Sequence, residues 1–378
     1  MFGDFGGIVR LLPRHVARPA TVEEVAAVLR EADGPVVPRG CGHSTYGQAQ
    51  CDGGVLLDLR GLCAVREVGR GRAVVEAGAT WRQVLEATLP HGLTPPVLTD
   101  YLDVTVGGTL SAGGIGGASL RHGLQADQVL SLDVVTPQGR LVHCSPRRNR
   151  ALFDAVRGGL GRHGVIVRAA LRLVPAPPFV RSHRLLYATA GALLDAQRRI
   201  PADHVSGQAK HDPVWRYELT AVRYGPGPRI PGAVEVEELS YAEFADRMRP
   251  DVTELIRIGE WERPHPWGIV LLPPRRAAEV IEATLAETSP ADLGLSGVVL
   301  ISPLTVRHVP ALGAPGDAVM LAMLRTASPG AASPEAMLEA NRRLLARAKA
   351  VGGIRYPIDA VPDFSTAGDR EAASNGAG

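Results

Sequence analysis

The sequence predicts two domains of mixed helices and strands, and three observations support that expectation. Its 378 residues are enough for two cores of ordinary size. Short apolar runs alternate along the chain with helical stretches that carry N-terminal caps. A cluster at Pro175, Pro177 and Pro178 interrupts this alternation near mid-chain and marks a boundary.

Hydrophobic residues make up 45% of the chain and charged residues 21%, the balance of a soluble globular protein. A formal net charge of +2 implies no polyanion, so no nucleic acid partner is expected. Lys210 and Lys349 are the only lysines among 41 basic residues, a skew that suggests a GC-rich bacterial gene. Cys41, Cys51, Cys63 and Cys144 form no Cys-x-x-Cys pair, so neither a zinc site nor a disulfide framework is indicated. The opening Met1-Phe-Gly-Asp-Phe-Gly-Gly has an acid and glycines where a signal peptide has basic and then apolar residues. No apolar run approaches a membrane span. A cytoplasmic enzyme without a metal or a membrane partner is the expectation.

In chain order, residues 21–33 read as a helix: Thr21 and Glu24 make a capping box, and Val22, Val25, Val28 and Leu29 share a face. The apolar run 35–37 reads as a buried strand leading into Pro38-Arg-Gly-Cys-Gly-His-Ser-Thr-Tyr-Gly-Gln48. There Gly40, Gly42 and Gly47 bracket His43 and Ser44. Glycines this close let backbone N–H groups cradle an anion such as a pyrophosphate. An imidazole in that cradle is a candidate for a covalent bond to whatever the phosphates carry. Alone, the loop reads equally as a tight turn with a solvent-facing histidine. It is not a serine-hydrolase elbow, because Gly42-His-Ser-Thr-Tyr-Gly47 places its second glycine one residue late.

Residues 54–59 and 73–77 read as short strands, and Thr80 with Gln83 caps a helix that Gly92 closes. The second glycine cluster, 105–117, has no Gly-x-Gly-x-x-Gly opening a long helix, which argues against a nicotinamide Rossmann site. Residues 129–135 and 141–144 form a hairpin about Pro137-Gln-Gly-Arg140; 149–157 is a helix and 164–174 a strand. Beyond Pro178 the elements lengthen. Ser240 and Glu243 cap a helical stretch that Pro250 divides, and 267–272 and 298–302 read as central strands. Ser333-Pro-Glu335 opens a long helix closed by Gly352-Gly353, and 365–378 reads as a frayed tail.

Taken together, these motifs resemble the FAD-linked oxidases of the vanillyl-alcohol oxidase (PCMH-type FAD-binding) superfamily, and most closely the cytokinin dehydrogenases. The resemblance rests on Arg39-Gly-Cys-Gly-His-Ser44, on Asp100-Tyr-Leu before Thr105-Val-Gly-Gly-Thr-Leu-Ser111, and on Gly158-Gly-Leu-Gly161 with Gly164-Val-Ile166. Asp4-Phe-Gly-Gly-Ile8, Trp215-Arg-Tyr-Glu-Leu219, His265-Pro-Trp267 and Tyr356-Pro-Ile358 extend it, in the family's order, over nearly the whole chain.

The resemblance implies an α+β, two-domain PCMH-type fold. A FAD-binding domain would span 1–177, a substrate-binding α+β cap domain 178–353, and a shortened tail 354–378 would return to the FAD site. Arg39, Gly40, Cys41, Gly42, His43, Ser44 and Gln48 would hold the pyrophosphate, largely through backbone donors. Thr105, Gly108, Ser111 and Ile115 would line the flavin and its chain, with Ile166 toward the adenine and Tyr356 near the ring. His43 matches the histidine bonded to the flavin 8α carbon. Asp100 matches the catalytic acid, which also borders the cofactor. It would take a proton as hydride leaves an amine or alcohol carbon for flavin N5. Its ordinary pKa of about 3.9 makes it a weak base, so partial burial beside the neutral ring is expected to raise it. Ser206, Trp267, Ile269 and Ile358 would face the substrate, and oxygen or a quinone would accept the electrons.

Three departures qualify these implications. Ser206 stands where the family's aromatic-Val-Glu-Gly run has a glutamate, and Ile269 where an asparagine commonly follows His-Pro-Trp. Substrate expectations therefore cover an N6-alkyladenine and an amine or alcohol of a bacterial secondary-metabolite pathway. Residues 359–364 read Asp-Ala-Val-Pro-Asp-Phe in place of a Trp-x-x-His-Phe-Gly closing motif. A flavin open to solvent is then expected, with a degenerate FAD-binding protein lacking oxidase activity as the alternative.

Overall fold

The structure is a computed structural model and describes residues 3–313 and 316–362. Its first half runs β1 (His15–Ala17), α1 (Val22–Glu31), β2 (Val36–Arg39), β3 (Val55–Asp58), β4 (Val65–Gly69), β5 (Arg72–Glu76), α2 (Trp81–Thr88) and β6 (Leu93–Thr94). It continues through α3 (Val106–Ala112), α4 (Ser119–His122), β7 (Val129–Val135), β8 (Leu141–Cys144), α5 (Arg150–Val156), β9 (Val165–Arg172) and β10 (Val174–Pro175). Parallel strands β1-β3-β2 make a small sheet, and β4-β5-β9-β7-β8 an antiparallel one of five strands.

After the proline cluster come β11 (Phe179–Tyr187), α6 (Ala190–Arg199), β12 (His204–His211), β13 (Trp215–Tyr224), β14 (Glu235–Ser240), α7 (Tyr241–Ala245) and α8 (Arg249–Arg257). The remaining elements are β15 (Gly268–Leu272), α9 (Ala277–Ala286), β16 (Val298–Val306), β17 (Gly316–Leu324), α10 (Pro334–Ala350) and β18 (Ile354–Arg355). All eight strands join one antiparallel sheet, ordered β14-β11-β13-β12-β16-β17-β15-β18.

The period-2 alternation of these strands divides the core. Val270, Leu272, Val299, Ile301, Leu321 and Met323 face α6, α9 and α10. Ile269, Leu271, Leu304 and Ala322 face the first half instead and merge with the core under α2, α3 and the five-stranded sheet. The functional cleft opens between that face and the glycine loops.

Several local readings hold. Thr80 and Gln83 form their capping box, and Gly92 takes a left-handed φ of 65° at the following turn. Thr21 caps α1, but Glu24 turns its carboxylate to the Ala20 N–H at 2.7 Å, so only half the expected box forms. Pro250 does not itself divide the helical stretch. It sits in the first turn of α8, where its missing N–H costs nothing, and the break falls before it at 246–248. The expected strand 267–272 is β15, second from the sheet edge, whereas β16 is central. In the first half, β1, β4 and β6 escaped the sequence reading because they are short or lack an alternating pattern, and beyond the proline cluster it placed only β15 and β16 as strands. The tail 365–378 lies outside the described residues. No described helix is long and apolar enough to cross a membrane.

Candidate active site

A cavity of about 570 Å³ lies between the two halves of the chain. One wall is the turn after β2. Gly40 packs there because a Cβ would fall 1.9 Å from Thr105 Oγ1, and Gly42 and Gly47 take φ of 71° and 80°. The segment 4–7 lines the back of this turn: Phe5 N–H donates to Gly42 O (2.8 Å) and Gly6 N–H to Ser44 O (3.1 Å). Asp4 Oδ2 accepts from Gly47 N–H (2.6 Å) and Ser44 Oγ (3.2 Å). Burial nevertheless pushes the Asp4 carboxyl above its ordinary pKa.

The polar side chains of the turn brace it. Arg39 donates to Gly3 O (2.8 Å) and Ala49 O (3.1 Å), and burial lowers its pKa. Gln48 donates to Pro357 O (3.3 Å) and Asp359 O (2.9 Å), while Thr45 donates to Ile358 O. The backbone behaves differently. The N–H groups of Gly42, His43 and Ser44 meet no acceptor among the described residues, although all three residues border the cavity. Successive unpaired donors on a glycine turn form an anion-binding nest. These residues therefore fit the pyrophosphate of FAD.

His43 stands in an aromatic cluster. Its ring lies 4.1 Å from Phe5, 5.1 Å from Tyr101 and 5.6 Å from Trp267, centroid to centroid. Phe5 stacks on His265 at 4.1 Å, and Trp261 closes the cluster. Neither His43 ring nitrogen has a hydrogen-bond partner among the described residues. Burial, seconded by the nearby His265, pushes its pKa down to about 3, so the imidazole is neutral. Burial also raises the Cys41 thiol, and holds the phenols of Tyr101 and Tyr356 at about 12.

The other expected cofactor residues reach the same cavity. Thr105 caps α3, accepting from Gly108 N–H at 3.3 Å. Ser111, Ile115 and, on β9, Ile166 line the walls. Tyr356 is buried, and its hydroxyl accepts from Gly114 N–H at 3.2 Å.

Opposite stands the sheet. Gln208, Leu300, Ala322 and Ile269 form one cross-strand row on β12, β16, β17 and β15, all facing the cavity. Ser206, Trp267 and Ile358 line it too, and Met248, just before α8, closes it together with Val252 and Leu255 on that helix. Asp100, its side chain 36% exposed, borders the cavity and pairs with the Arg247 guanidinium. That cation, which the sequence reading did not place, stands against the carboxylate.

Sequence reasoning missed Arg247, Trp261 and Gln208. The first two lie outside any motif. Gln208 was detectable as the residue two positions beyond Ser206, on the same strand face.

A model described as an FAD binding domain matches residues 13–145. A second, described as cytokinin dehydrogenase 1, FAD and cytokinin binding, matches residues 228–356. An uncharacterized oxidoreductase of the fasciation locus of Rhodococcoides fascians is 42% identical, over 95% of this chain and 87% of its own. The chain is an FAD-dependent oxidoreductase of the cytokinin dehydrogenase family. Cytokinin dehydrogenase 7 of Oryza sativa subsp. japonica is 36% identical over 80% of this chain and 70% of its own. Cytokinin dehydrogenase 4 of Arabidopsis thaliana is 31% identical over 79% and 70%. The α+β, two-domain PCMH-type expectation therefore holds.

Proposed function

We propose that this oxidoreductase removes hydride from the carbon of a small amine or, in second place, an alcohol. FAD, when bound, supplies the two-electron acceptor. The observation that carries the reading is that Asp100, His43 and the unpaired donors of Gly42 and Ser44 open onto one cavity.

The roles follow from the residues. The 40–48 turn holds the pyrophosphate, leaving His43, neutral and unpartnered, free to make the covalent link to the flavin ring. Asp100 accepts the proton that the substrate nitrogen or oxygen loses, and Arg247 holds its carboxylate in place. Phe5, Tyr101, Trp261 and Trp267 keep water from the reacting end. Ser206 and Ile269 replace an acid and an amide on the sheet wall. Gln208, with no partner among the described residues, provides there a side chain that both donates and accepts. An N6-alkyladenine suits such a wall. Anaerobic mixing of the holoenzyme with a panel of amines and alcohols, followed by flavin bleaching, tests the reading. Bleaching by amines supports it; a flavin that no member reduces favours the degenerate FAD-binding alternative.

A further inference from the structure

Asp100 lies on an irregular segment, 95–104, between β6 and α3. Trp81 N–H to Val104 O and Arg82 N–H to Leu102 O, 3.1 Å each, anchor its far end to α2, but among the described residues no backbone donor meets the Asp100 carboxylate. Two arginines tie that segment to the other half of the chain. Arg247 pairs with Asp100 through Nη2, while its Nη1 donates to Phe244 O at 3.0 Å and its guanidinium lies 4.6 Å over the Phe244 ring. Arg82, at the start of α2, grips Asp103 through Nη2 (2.9 Å) and Asp246 through Nη1 (2.8 Å). Both ties end on adjacent residues, Asp246 and Arg247, in the bend 246–248 that separates α7 from α8.

Arg247 is absent from the cavity lining; it borders a void of about 20 Å³ behind Asp100, beside His204, Tyr224 and Tyr241. It meets the cavity wall at the Asp100 carboxylate, and any effect on the reaction runs through that carboxylate. The next residue, Met248, does line the cavity, as do Asp251, Val252 and Leu255 on α8. The bend thus joins the wall that meets the substrate to the ties that aim the base.

We propose that Arg247 is a positioning residue for Asp100, and that it and Arg82 form a two-point clamp coupling the base to the α8 wall. The single Arg247 Nη2 contact to one Asp100 oxygen fixes the distance of the carboxylate, and the two-nitrogen fork of Arg82 on Asp103 fixes the plane of the segment that carries it. Misplacing a reacting group by about 1 Å costs on the order of 100-fold in rate. This inference rests on Asp100 as the proton acceptor.

The test is a double-mutant cycle on the holoenzyme, reading flavin reduction under anaerobic conditions with N6-isopentenyladenine as probe. Hydrogen exchange of segment 98–104 is read in parallel without substrate. Arg247→Gln should slow limiting reduction roughly 10- to 100-fold with little change in the half-saturating probe concentration. Arg247→Lys should recover part of the loss, and Arg82→Met should show a smaller one. With Asp100→Asn already present, adding Arg247→Gln should cost little more. Exchange in 98–104 should rise in Arg247→Gln and Arg82→Met while FAD content holds. Additive losses, or unchanged exchange in 98–104, overturn the clamp even where Asp100→Asn is slow. An Asp100→Asn enzyme as fast as wild type overturns the base assignment, and the clamp with it. A probe that leaves wild-type flavin oxidised leaves the exchange measurement to decide.

Discussion

Burial keeps the His43 imidazole neutral, and its ring nitrogens have no partner among the described residues, which supports the proposed covalent link. Acid-precipitated protein should accordingly stay yellow, and the flavin peptide should contain His43. His43→Ala should release its FAD into the supernatant yet still bind it before acid, because the backbone donors of the turn remain. Asp100→Asn keeps volume and hydrogen bonding but cannot take a proton. Its flavin reduction should fall by the ~10²–10⁴-fold typical of a lost general base, with FAD content near wild type. Gly40→Ala tests the cradle itself. Its Cβ would meet Thr105 Oγ1 at 1.9 Å, so the turn must move from α3, and purified protein should carry less FAD. Full FAD occupancy in Gly40→Ala would show that the close approach is dispensable.

At the scale of elements, caps and pins decide how firmly the walls stand. Thr80 caps α2 with a complete box, so Thr80→Ala should cost about 1 kcal/mol and lower Tm without changing flavin content. Asn341 on α10 does more. Fully buried, it donates to Pro266 O (3.0 Å) and Ala360 O (2.9 Å) and accepts from Arg325. One amide thus pins His265-Pro-Trp267 and the segment after Tyr356 to the outer helix layer. Asn341→Ala would strand these groups and the Arg325 guanidinium without a partner. A loss of roughly 2–4 kcal/mol by denaturant unfolding is expected. A loss below that of Thr80→Ala would show the pins to be redundant.

For the whole molecule, buried histidines held below their ordinary pKa oppose stability in acid. His204 is pushed down to about 3, first by burial and then by the Arg247 cation, with Asp100 opposing. Well above pH 6.5 it is neutral in both folded and unfolded chains and contributes no slope. Below that the unfolded chain binds a proton that the folded chain refuses, so stability falls as pH drops toward 3. Against wild type, His204→Gln should gain roughly 2 kcal/mol between pH 8 and pH 5. Parallel stability curves would show that His204 does not titrate this way. Much of the rest was legible in the chain. The turn at 40–48, the caps at Thr80 and Ser240, the hairpin and the family motifs all depend on residues a few positions apart, where spacing alone dictates backbone conformation. Even Ser206 and Ile269 could be named as departures. What the sequence could not contain was the partner of Asp100, because Arg247 lies 147 residues away in a bend with no motif. The stitch of Thr45 to Ile358 spans 313 residues, and the aromatic cluster draws Phe5, His43, Tyr101, Trp261 and Trp267 from four separate segments. Local signals determined the cradle and its histidine. Only the packing of the eight-stranded sheet against the glycine loops decided what faces them, since pairs so distant in the chain meet only when both cores have formed.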